Sequence, residues 1–143
     1  MSNFTHLHVH SHYSIQDGMA TINGLVDKAI SEGMHAIALT DHGNMFGIKE
    51  FFDYTEKKNS KINAAIKELE KQQKAVETAE QKQEIAQKIV MEKARLFKPI
   101  LGCEVYVARQ TDSNPEGSRL VKASKENLGG DHLVVLAKNM KAS

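Results

Sequence analysis

No glycine and no proline interrupts the chain between Gly47 and Pro99. A stretch that long without a backbone breaker, dominated over 56–95 by Lys, Glu, Gln and Ala, favours helix above any other conformation. Ile62, Ile66, Leu69, Gln73 and Val76 step by four, three, four and three, a coiled-coil seam with one polar interruption. Ile85, Ile89 and Val90 supply a second arm that can fold back, with the polar stretch from Thr78 to Lys82 as the bend. The expectation is a long helix or helical hairpin, inserted at about 56–96 into something else. Ten of the nineteen Lys/Arg and seven of the eighteen Asp/Glu fall within 56–95, so the remainder is slightly acidic. Neither part carries the basic excess that would make nucleic-acid binding the default. The insertion reads as a solvated helical face or as a partner-binding arm.

The surrounding residues read as alternating strands and helices. Phe4 to His10 alternate strictly, which predicts a strand with His6, His8 and His10 on one face and Thr5, Leu7 and Val9 on the other. Ile22, Leu25, Val26, Ala29 and Ile30 repeat at helical spacing, with Thr21 as N-cap and Gly33 as the stop. Ala36 to Leu39 is a short apolar strand ending in the turn-rich Thr40-Asp41-His42-Gly43-Asn44, and further strands are expected over Pro99–Ala108 and Leu133–Ala137. This order predicts an α/β fold with a largely parallel sheet. The link from Arg109 to Asp131 lacks a helical pattern, so the last strand is expected antiparallel to its predecessor. Four strands in 143 residues, with the chain stopping at Ser143 just after a buried one, point to a truncated domain. Open strand edges would leave such a piece prone to self-association. With no apolar signal core after Met1, no membrane-length apolar run and the single cysteine Cys103, the chain is expected in the cytoplasm.

Four of the seven histidines fall within seven residues, His6, His8, His10 and His12. Rings two apart on a strand leave one face about 6.5–7 Å apart, close enough to share a metal ion. Burying several imidazoles without partners would be costly. Asp17 follows the first strand, Asp41-His42 the second, Glu104 lies in the third, and His132 reaches the same place if the fourth runs antiparallel. Ligands are thus expected at His8, His10, Asp17, His42, Glu104 and His132, with Ser14 and Asp41 as supporting hydrogen bonders. Cys103 alternates away from Glu104 and reads as core. Imidazole and carboxylate donors without a usable thiolate suit zinc, manganese or iron, and such a site suits phosphoester hydrolysis by metal-activated water. Ser11 and Ser14 lack the Gly-rich elbow of a nucleophilic triad, and no Gly-rich phosphate loop appears.

The run His8-Val9-His10-Ser11-His12-Tyr13-Ser14 resembles the first motif of the polymerase and histidinol phosphatase (PHP) superfamily, and Leu39-Thr40-Asp41-His42-Gly43 its second. Ile15-Gln16-Asp17-Gly18, Asn44-Met45-Phe46-Gly47, Lys98-Pro99-Ile100-Leu101-Gly102-Cys103-Glu104 and His132 to Ala137 are similar to the branch found at the N-terminus of bacterial replicative DNA polymerases. The resemblance implies a partial, distorted (β/α)7 barrel over residues 1–143. It implies up to three divalent metal ions, with the six ligands above among nine. It also implies structural support of a DNA polymerase involved in replication, with 3′–5′ exonuclease or pyrophosphatase activity in the complete domain. The rest of the polymerase chain, other replicase subunits and DNA are the implied partners, and the isolated piece is expected to be inactive. A stand-alone phosphatase resembling histidinol phosphatase and a non-catalytic docking scaffold are the alternatives.

Overall fold

The computed structural model describes residues 4–107 and 131–138. Three helices and three strands follow in the order α1 (Ile22–Ser31), β1 (Ala36–Leu39), α2 (Ile48–Ala75), α3 (Ala79–Ala94), β2 (Lys98–Val107) and β3 (Asp131–Leu136). Thr21 caps α1 by accepting from the Gly24 amide at 3.2 Å, and Gly33 ends it with a φ of 76°, a conformation that side chains disfavour.

The sheet is mixed, ordered β1-β2-β3. β1 pairs parallel with β2 from Ala36 opposite Lys98 to Leu39 opposite Leu101. β3 runs antiparallel to β2, from Gly102 opposite Leu136 to Val107 opposite Asp131, as the lack of a helical sequence pattern from Arg109 to Asp131 leads one to expect. β3 approaches Gly102 closely: a Cβ there would lie 2.5 Å from the Val135 carbonyl oxygen. Ala108 and the link that follows it lie outside the described residues.

The first expected strand is not one. Residues 4–10 lie beside β1 with a bend at Leu7, and only two of their carbonyls take part in backbone pairing there: His6 accepts from Ala38 N–H at 2.8 Å and Val9 from Thr40 N–H, just past β1, at 2.9 Å. The Thr40 hydroxyl accepts from the Val9 amide, so a side chain replaces the ladder where the strand should continue. The strict alternation of faces fails with it. Leu7 is half exposed, and His6 lines a groove with Val9, Leu25 and Met34 instead of joining His8 and His10.

Ile22, Val26 and Ala29 of α1 pack with Ile37, Leu39, Phe51 and Phe97 in the core. The helical hairpin forms, but it bends over Val76–Thr78 and α3 is already helical at Ala79, so the bend is shorter and earlier than Thr78 to Lys82. Ile66 on α2 and Ile89 on α3 are buried, whereas Val90 faces solvent. Gln73, the polar interruption, donates to the Lys82 carbonyl at 3.1 Å. Asn59 anchors the hairpin to the sheet: its amide donates to Phe97 O at 2.8 Å and accepts from Phe97 N–H at 3.0 Å. Among the described residues no helix is long and apolar enough to cross a membrane.

Candidate metal centre

Glu104 is the hub. It is a buried carboxylate in β2, and the segment after β1 extends the parallel pairing to reach it: Glu104 N–H donates to Asp41 O at 3.1 Å and Gly43 N–H to Glu104 O at 2.8 Å. That pairing sets His42 beside Glu104, with Nδ1 2.7 Å from Oε2. His10 Nε2 lies 3.0 Å from Oε2, His132 Nδ1 3.0 Å from Oε1 and His8 Nε2 4.0 Å from Oε1. Four imidazoles drawn from three separated stretches therefore converge on one carboxylate.

Asp17 stands at the rim, half exposed, its Oδ2 3.8 Å from His42 Nδ1. Ser14 and Asp41 do not face the cluster. Asp41 is buried and accepts from Ser11 N–H at 2.6 Å, from the Ser11 hydroxyl at 2.9 Å and from the Ser14 hydroxyl at 2.8 Å. Ser14 Oγ in turn accepts from the His42 amide at 2.9 Å. The network fastens the histidine-bearing segment to the turn after β1, so both residues act on the backbone beneath the cluster. Cys103 faces the other way, its Sγ donating to the Asn44 carbonyl at 3.4 Å, and burial pushes its thiol pKa up.

Sequence reasoning missed Tyr106. Its hydroxyl hydrogen-bonds with His42 Nε2, and its ring stands edge-on to His42 and His132. Period-two alternation from Glu104 would have found it. Ser11, weighed only as a nucleophile, is instead the main partner of Asp41, across a span of 30 residues that no local pattern reveals.

Burial on its own would raise the Glu104 pKa. The His42 hydrogen bond and the charges of His10, His132 and His42 outweigh it and hold the carboxyl below its ordinary value. His10 Nε2 is fully covered and close to that carboxylate, yet it has no aligned hydrogen-bond partner among the described residues. A covered imidazole nitrogen facing a carboxylate without a bond between them is a donor pair that a cation satisfies. The donor atoms form two overlapping sets, His8 with His10 and Glu104, and His42 with Glu104 and His132, each within 4.8 Å. The residues thus fit divalent metal ions.

Residues 6–142 match the PHP domain profile. The chain belongs to the PHP domain family. PHP domains bind metals, and the Glu104 cluster is where this one has the donors for it. The chain is similar to DNA polymerase III subunit alpha of Treponema pallidum, 38% identical over 138 residues that make up 95% of this chain and 8% of the relative. The corresponding protein of Borreliella burgdorferi is 35% identical over 138 residues, 96% of this chain and 8% of its own length. That of Mycobacterium tuberculosis is 45% identical over 68 residues, 48% of this chain and 5% of the relative. This PHP domain sequence therefore spans less than a tenth of the length of these relatives.

Proposed function

We propose that this chain is the first part of the PHP domain of a replicative DNA polymerase III alpha subunit, and that the Glu104 cluster is its metal-binding phosphoesterase site. The observation that carries the reading is the convergence of His8, His10, His42 and His132 on the single carboxylate of Glu104. His8 and His10 would hold one ion and His42 and His132 another, with Glu104 shared between them and Asp17 adding a ligand from the rim. A further ion, three in all, would need ligands beyond those described. Imidazole and carboxylate donors favour zinc, manganese or iron. Ions held by these residues would supply Lewis-acid polarisation of a phosphoester and an activated water, the chemistry that a 3′–5′ exonuclease or pyrophosphate hydrolysis needs.

The chain's own residues prepare that site. Glu104 stays ionised because its imidazole neighbours favour the charged form. The Tyr106 hydroxyl engages His42 Nε2 and leaves Nδ1 for the site, fixing the ring's orientation. Asp41, Ser11 and Ser14 lock the backbones that carry His10 and His42.

In this reading residues 1–143 supply the opening strands of a distorted (β/α)7 barrel, with a helical insertion over about 56–96. The polymerase chain, other replicase subunits and DNA are the partners, in the cytoplasm. The piece alone is inactive, and its open strand edges favour self-association.

The test is elemental analysis of purified protein. We expect His8→Ala with His10→Ala to remove the ion those two residues hold, about half of the bound transition metal, whereas an unchanged metal content would overturn the ligand assignment.

A further inference from the structure

The hairpin carries a charge pattern that the metal site does not use. Lys57, Lys61, Lys67, Lys71 and Lys74 are all exposed on α2. At 3.6 residues per turn they fall within about 140° of the helix circumference, and they cover about 25 Å of its length. That sector lies opposite Phe51, Thr55, Asn59 and Ile66, the buried residues of α2. Two carboxylates, Glu56 and Glu68, share the sector, leaving it net positive by three.

Several lysines outside the stripe are paired with carboxylates. Lys49 bonds Asp53, Lys58 bonds Asp27 at 2.7 Å, Lys88 bonds Glu84 at 2.7 Å and Lys93 reaches Glu70 at 3.4 Å. None of the five stripe lysines has a carboxylate partner among the described residues, although Glu56 and Glu68 stand within the sector. Lys57 also lines an open groove of about 580 Å³ with Tyr13, Phe46 and Tyr54, where Lys49, Glu50 and Asp53 leave the charge balanced. Phe46 is exposed to 77%.

We infer that the outward lysine stripe of α2 is a docking surface for the phosphate backbone of nucleic acid. Charge complementarity selects the occupant. Unneutralised ammonium groups in a row along a straight helix match a line of phosphates, and each phosphate contact releases condensed counterions. The aromatic rings where the stripe meets the groove suit a base leaving the stack. The inference rests on this charge pattern and does not need metal at Glu104.

The experiment is fluorescence anisotropy of the 143-residue chain with a labelled 20-mer, as duplex and as single strand, across a salt series. Five phosphate contacts predict an affinity loss of about 500-fold on duplex DNA between about 50 and about 200 mM salt. With K61Q/K67Q/K71Q that loss shrinks to about 12-fold. K61R/K67R/K71R restores the steep dependence, and K88Q/K93Q, which removes paired lysines, leaves it unchanged. Circular dichroism confirms that the variants keep their helices. Tighter binding of the single strand than of the duplex would assign the groove aromatics a share. No salt-dependent binding to either DNA would overturn the inference. So would equal losses in the stripe and paired-lysine variants, or binding to polyglutamate alone, which would mark an acidic protein as the partner. H8A/H10A keeps the salt dependence whatever its metal content, so failure here and failure of the metal site are separable.

Discussion

The Glu104 cluster and the α2–α3 hairpin are built from opposite kinds of interaction. At the cluster every contact that matters crosses a long span of chain: Asp41 is reached by Ser11 over 30 residues, and His42 by Glu104 over 62. In the hairpin many polar contacts are local, such as Lys88 with Glu84 one turn away, and beyond Asn59 the buried positions are Ile66 and Ile89. Exposed one-turn pairs contribute little to stability. The cluster therefore depends on the fold being complete around it, whereas the hairpin needs only its own periodicity and the Asn59 anchor.

The sharpest way to break this contrast is at Asp41. Asp41→Ala strands the Ser11 amide and hydroxyl and the Ser14 hydroxyl in a buried position, which should cost about 3 kcal/mol of stability. Thermal melts would read that cost, and metal content should fall with it. A neutral outcome would mean that the network does not hold the cluster together. Ile66→Ala acts on the other region. It should cost about 2 kcal/mol by opening the seam. Hydrogen exchange should rise along α2 and α3 while the metal content stays as it was. Loss of metal in Ile66→Ala would show that the hairpin supports the cluster and is not an independent arm.

The smallest effect is on pH. The Glu104 carboxyl is held below its ordinary value of 4.5, so its ionised form contributes stability above that pH. The contribution is lost as pH falls through the lowered value. Metal-free protein should accordingly destabilise in acid below the ordinary glutamate range, and Glu104→Gln should flatten that part of the profile. An unchanged acid limb would place the titrating groups elsewhere.

Much of this was legible from residues alone, for identifiable reasons. α1, β1 and β2 follow from apolar spacing and their flanking turns, and Thr21 caps α1 as its type suggests. The antiparallel course of β3 follows from the missing helical pattern before it and brings His132 to Glu104. What stayed hidden depends on tertiary detail. The Thr40 hydroxyl interrupts the ladder that Phe4 to His10 would have formed, and His6 lines a separate groove. Donor chemistry picked out His8, His10, His42, Glu104 and His132, but the pivotal position of Glu104 appears only once β2 is placed between its two neighbours. Tyr106 went unnoticed because no motif named it, although it shares the Glu104 face.

The most direct test of the central claim is the metal stoichiometry of Glu104→Gln beside the unaltered chain, measured by mass spectrometry after loading with zinc or manganese and desalting. Because one carboxylate joins both donor sets, the account predicts that this single substitution empties both positions together. Retention of the full metal complement by a folded Glu104→Gln protein would contradict it.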